Sequence, residues 1–169
     1  MSLRKIISGG QTGVDQAALQ AAIDSGFEHG GWCPPGRICD SGEIPIHFKL
    51  KETPEERDKS ALEIPRSQRT IWNVRDSDGL LVIEQDQRGK GSKAQRDLGT
   101  ELTIESAKKL GKPFLIVYFN RKLILTQISN WISTNKIEVL NVAGPSERNC
   151  PGIYDRVYDL KMEILTNSV

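Results

Sequence analysis

Gly9, Gly10 and Gly13 fall within five residues, in the run Ser8-Gly9-Gly10-Gln11-Thr12-Gly13-Val14-Asp15. Glycines at that density let the backbone turn sharply and bring its N–H groups close to a ligand. The run follows the apolar pair Ile6-Ile7 and precedes Ala17-Ala18-Leu19-Gln20-Ala21-Ala22-Ile23, a stretch of good helix formers. Strand, glycine turn and helix in that order present free amides and the positive end of a helix to an anion. The competing reading is a tight turn closed by a capped helix. Thr12 and Asp15 have the spacing of a hydroxyl cap and an acid three residues on. The run is not a Walker A motif, because no Gly-Lys-Ser/Thr follows, and it is not a full G-x-G-x-x-G.

Further residues extend this chemistry. Gly99-Thr100 opens a second candidate helix after the polar loop Gln85 to Asp97. Gln11 suits donation to a ligand oxygen, or else it braces the turn. Arg37 suits a bidentate clamp on an anion, or else it is a solvated loop arginine. Arg69 and Asn73 stand one helical turn apart, so both can face one site or form a surface pair. Asp76 and Asp78 precede a strand, where acids hold a metal or a ribose, or shape a turn. Cys33, Cys39 and His47 match no structural-zinc spacing. With two histidines, His29 and His47, and no Gly-x-Ser-x-Gly elbow, no Ser-His-Asp arrangement is legible.

These residues need a scaffold, and the pattern supplies one. Strands are expected at Leu3–Ser8, Gly30–Cys33, Gly79–Glu84, Pro113–Tyr118 and Glu138–Ala143. Helices are expected over Val14–Ser25, Ser67–Val74, Gly99–Lys109, Leu125–Thr134 and Pro151–Leu165, with a further start at Thr53-Pro54-Glu55-Glu56-Arg57. Gly79-Leu80-Leu81-Val82-Ile83-Glu84 is apolar on both faces, as a central parallel strand requires. The alternation predicts an α/β fold, Rossmann-like and doubly wound, with a mainly parallel sheet flanked by helices on both faces. Ligands of such sheets sit at the carboxyl ends of the strands. Residues 34–70 carry little regular signal and read as a functional loop, and 85–97 as a mobile one.

At 169 residues the chain is expected to form one domain with a real core. A net charge of +1 gives no electrostatic case for nucleic acid or a membrane surface. No apolar run approaches the ~18 residues of a membrane span. Arg4, Lys5 and the glycines interrupt any signal region, so a cytoplasmic location is expected. Three cysteines, an odd number, argue against a disulfide framework.

Several segments, taken in order, resemble the family named "putative molybdenum carrier". They are Ser8 to Asp15, Gly30-Gly31-Trp32-Cys33-Pro34, Gly42-Glu43-Ile44-Pro45, Arg69-Thr70-Ile71-Trp72-Asn73-Val74 and Asp76-Ser77-Asp78-Gly79. Gly99-Thr100, Asn141-Val142-Ala143-Gly144-Pro145 and Pro151-Gly152-Ile153 complete the set. The family is similar to a wider Rossmann-like superfamily that includes the lysine-decarboxylase-like nucleotide phosphoribohydrolases. The resemblance implies a small-molecule binding protein for an oxyanion or nucleotide-like ligand, molybdenum cofactor or a nucleotide among them, and a homo-oligomer, dimer or tetramer. The alternative it implies is hydrolysis of the N-glycosidic bond of a nucleotide or an ADP-ribose-like compound. Two departures bear on that alternative. The family's Gly-Gly-Thr reads Leu98-Gly99-Thr100 here, and the position of the phosphoribohydrolase glutamate is Thr103. Asp15, Asp78 and Glu101 are the remaining acids that a hydrolase could use. The ligand-binding set expected from sequence is therefore Gly9, Gly10, Gln11, Thr12, Gly13, Asp15, Arg37, Arg69, Asn73, Asp78, Gly99 and Thr100.

Overall fold

The computed structural model describes residues 3–85, 96–118 and 121–166. The basic stretch around Lys90 and Lys93 lies outside them. Five strands form one parallel sheet: β1 (Lys5–Ile7), β2 (Glu28–Gly30), β3 (Gly79–Glu84), β4 (Phe114–Tyr118) and β5 (Val139–Ala143). Five helices connect and cover it: α1 (Val14–Asp24), α2 (Ser67–Arg75), α3 (Leu98–Lys109), α4 (Arg121–Thr134) and α5 (Ile153–Thr166). The fold is the doubly wound, Rossmann-like one that the alternation predicts.

The strand order is β2-β1-β5-β3-β4, so the last strand in the chain lies at the centre. β5 pairs with β1 on one side and with β3 on the other, parallel to both. Counting from β5 turns the order into 3-2-1-4-5, that of dinucleotide-binding sheets. The topological switch point then falls between β5 and β3, and the loops leaving their carboxyl ends form the crevice there.

Burial divides the helices between the two faces. Ala17, Ala18, Ala21 and Ala22 of α1 are completely buried and pack with α4 and α5 residues such as Ile128 and Val157. Small side chains here let α5 lie along α1. On the other face Val74 of α2 and Ile104 of α3 cover Leu80 and Val82 of β3. A third small cluster, Leu19, Cys33, Cys39, Ile44 and Phe48, anchors the irregular segment on α1. No helix among the described residues is long and apolar enough to cross a membrane.

Two local expectations are corrected. The strand expected at Gly30–Cys33 breaks at Gly31, whose φ of 123° suits only glycine, and an added Cβ would lie 2.4 Å from the Ser8 carbonyl oxygen. Trp32–Cys33 instead pairs with Lys51–Glu52 in a separate two-stranded ribbon. The helix start at Thr53–Arg57 does not form. The Glu55 N–H donates to the Gln68 side chain and the Thr53 hydroxyl donates to the Glu55 carbonyl, so local side-chain bonds outcompete the helix.

Candidate functional site

A cavity of about 380 Å³ opens at the switch point, within the range of small-ligand sites. Its walls come from four places: the glycine bend (Gln11, Asp15), the irregular segment and α2 (Asp40, Arg66, Arg69), the start of α3 (Asp97, Gly99, Thr100) and the loop after β5 (Gly144, Ser146, Arg148). Glycine is required at 144, since a Cβ there would lie 2.3 Å from the Ile83 carbonyl oxygen of β3.

The bend is organised differently from a plain anion cradle. Gly13 precedes α1 with φ 83° and offers no side-chain cap, so the expected Thr12–Asp15 capping box is absent. Asp15 accepts the Gln11 N–H at 3.2 Å instead, and faces Arg69, whose Nη1 is 3.1 Å from Oδ2. The Thr12 N–H donates to Gln11 Oε1 at 2.9 Å, and the Val14 N–H donates to the Pro145 carbonyl. Backbone donors at these three positions therefore already have acceptors within the chain. The start of α3 is similar: Asp97 caps it by accepting from the Thr100 N–H and hydroxyl at 3.0 and 2.8 Å.

What the cavity offers instead is guanidinium. Arg69 lies flat over Gly9, where a Cβ would lie 1.7 Å from Nη1, so glycine at 9 is what admits the arginine. Its Nε is buried and has no hydrogen-bond acceptor among the described residues. An unpaired buried donor of this kind costs about 1–3 kcal/mol. Arg66 holds a left-handed backbone (φ 60°, ψ 24°), with its N–H on Glu56 and its guanidinium on Asp40. Strained non-glycine residues of this kind concentrate at functional sites. Arg148 makes no ion pair among the described residues. Burial raises the pKa of Asp15 above the usual carboxylate value, and Arg69, the Gln11 N–H and Ser8 oppose that shift.

The structure thus brings Gln11, Asp15, Arg69, Gly99 and Thr100 to one cavity. Thr12 and Gly13 line a neighbouring hollow of about 340 Å³, where Asp40 and Arg148 also stand. Other expected residues lie elsewhere. Arg37 donates to the carbonyls of Pro45, Phe48 and Leu50, so it ties the irregular segment together rather than clamping an anion. Asn73 clamps the Trp32 backbone from both sides, at 2.8 Å to N and 2.9 Å to O. Asp78 stands at the amino end of the sheet and accepts the Glu138 and Val139 N–H groups. Glu101 is exposed, whereas Thr103 is buried at the cavity wall.

Gly10 has φ 79°, and a Cβ would meet Leu50 and Ile44 side chains at 2.6 and 2.9 Å. Gly10→Val therefore disturbs the small core beneath the bend, and does not simply perturb a ligand site. We expect a loss of about 2 kcal/mol or more in urea unfolding. An unchanged midpoint would refute that.

Sequence reasoning passed over Arg66, Asp40 and Asp97. Asp97 carries the signal of an acid directly before a helix. Arg66 and Asp40 carry none, because their meeting depends on the path of the irregular segment.

The geometry fits an anion or a phosphate-bearing group better than a bare metal ion: among the described residues no group of three or more His, Cys, Asp or Glu is placed to hold one. The model of the circularly permutated YpsA SLOG family matches residues 6–165. A crystal structure titled as that of a putative molybdenum carrier protein, from Syntrophus aciditrophicus, is similar over 97% of this chain and 95% of its own. The identity is 36% and the TM-score 0.82. No curated protein matches significantly.

Proposed function

The chain belongs to the circularly permutated YpsA SLOG family, and on that premise we propose that it binds a small anionic ligand at the switch-point cavity. The observation that carries this reading is the meeting of three arginines, Arg66, Arg69 and Arg148, at one cavity. A nucleotide-like molecule or an oxyanion-containing cofactor suits that chemistry. Its charged end meets Arg69 and Arg148, while Ile64, Pro65 and the exposed Leu98 offer an apolar lip to a flat ring. The name of the Syntrophus relative supports molybdenum cofactor as one candidate cargo and a carrier-like role. Cytoplasmic work as a homo-oligomer belongs to the same proposal.

A binding role is favoured over N-glycosidic hydrolysis by the disposition of the acids. Of the three that sequence offered, Asp78 lies at the far end of the sheet and Glu101 is exposed. Asp15 reaches the cavity, but Arg69 and the Gln11 N–H already occupy its Oδ2 and fix its position.

Native mass spectrometry with metal analysis, on protein purified without added ligand, identifies the cargo. Arg148→Ala is expected to weaken binding of that ligand about tenfold, the range of a charge-assisted hydrogen bond. Equal affinity by calorimetry would remove Arg148 from the site.

A further inference from the structure

Asp40 stands where the two hollows meet and lines both. Its Oδ1 accepts from Arg66 Nη1 and Nη2 at 3.2 and 3.3 Å, and from Gln11 Nε2 at 3.1 Å. Its own N–H donates back to Gln11 Oε1 at 2.9 Å. The carboxylate thus covers the Arg66 guanidinium at the cavity wall.

The charged lining consists of three arginines, Arg66, Arg69 and Arg148, against three aspartates, Asp15, Asp40 and Asp97. Formally it is neutral. The aspartates are not equally movable. Asp15 is 4% exposed and locked on Arg69, and Asp97 is fastened to the first turn of α3. Asp40 is exposed. One anionic group can be met by Arg148 and by the part of the Arg69 guanidinium that lines the cavity. A second must approach Arg66, and there it meets Asp40.

Resting on the binding reading above, we propose that Asp40 is a charge filter: it limits the ligand to one anionic group and turns away polyphosphates. Asp40 is the resident counter-ion of Arg66, and each further negative charge on a ligand has to compete with it. A nucleoside monophosphate or a singly phosphorylated cofactor passes, and a di- or triphosphate is penalised by like-charge repulsion at short range.

Calorimetry on the full chain with AMP and ATP, at fixed salt and without divalent cations, tests this. AMP carries about two negative charges and ATP about twice that. The wild type is expected to bind AMP about tenfold more tightly than ATP. Asp40→Asn removes the filter and brings the ratio close to one by strengthening ATP. Asp40→Glu keeps the charge and restores the preference. Asp40→Ser repeats the readout should asparagine disturb the loop. A preference for ATP in the wild type, or a ratio that neither neutral variant moves, overturns the filter and leaves the anion site standing. If neither nucleotide binds any of these proteins, the anion site fails and the filter with it.

Discussion

Replacing Lys161 with methionine is expected to stabilise the protein by about 4–5 kcal/mol at pH 7, on the order of 10 °C in Tm. Lys161 is completely buried, in one row of α5 with Val157 and Leu165, and its Nζ has no hydrogen-bond partner among the described residues. Burial alone lowers its pKa from 10.5 to about 7. Desolvation disfavours the ammonium, so the folded protein releases this proton more readily than the unfolded chain does. The sign follows: below pH 7 both states are charged and the penalty is complete. Between pH 7 and 10.5 the unfolded state binds the extra proton, so wild-type stability rises with pH. The advantage of Lys161→Met should shrink to about 2 kcal/mol at pH 9. Urea unfolding at pH 7 and 9 reads both quantities. An unchanged midpoint, or an advantage that does not shrink, would show that the ammonium is compensated in solution.

The second large effect concerns Arg69. Arg69→Met removes the counter-charge of a buried carboxyl and is expected to cost about 3–5 kcal/mol at pH 8. Burial already raises the Asp15 pKa, and losing Arg69 raises it further because the arginine is the largest opposing influence. The folded variant then holds a proton that the unfolded chain has released, so the deficit relative to wild type grows as pH rises above the usual carboxylate range. Asp15→Asn added to Arg69→Met should recover most of the stability and abolish the pH dependence. Ligand binding should stay lost in the double variant. Recovery of binding together with stability would assign Arg69 a purely architectural role.

Four strands of the sheet were readable because they are short apolar runs bounded by glycine, proline and acids, Gly79–Glu84 above all, whereas Glu28–Gly30 is not apolar and was missed. Helix α5 was readable from Ile153, Val157 and Ile164 at helical spacing. The central place of β5 was not, because strand order is fixed by pairing across more than a hundred residues, Ile7 with Asn141 for example. The site was half legible. Glycine density and Arg69 pointed to the rim of the sheet where the cavity opens. The capping pattern at Thr12 and Asp15, the competing reading, does not form, since an arginine 54 residues away takes the carboxylate. Arg37 and Asn73 looked like ligand groups because donors that satisfy a loop's own backbone have the same chemistry as donors that bind an anion. Only the path of residues 34–66 tells the two apart.

The position of β5 also governs how the molecule is assembled. On the ribosome, β1 with β2 and β3 with β4 emerge as two separate half-sheets, each with an open inner edge. The strand that stitches them together follows the other four in the chain. Until then neither half has its central neighbour, and both edges are templates for mispairing. Closure of the sheet is therefore governed by contacts distant in sequence, which slow folding.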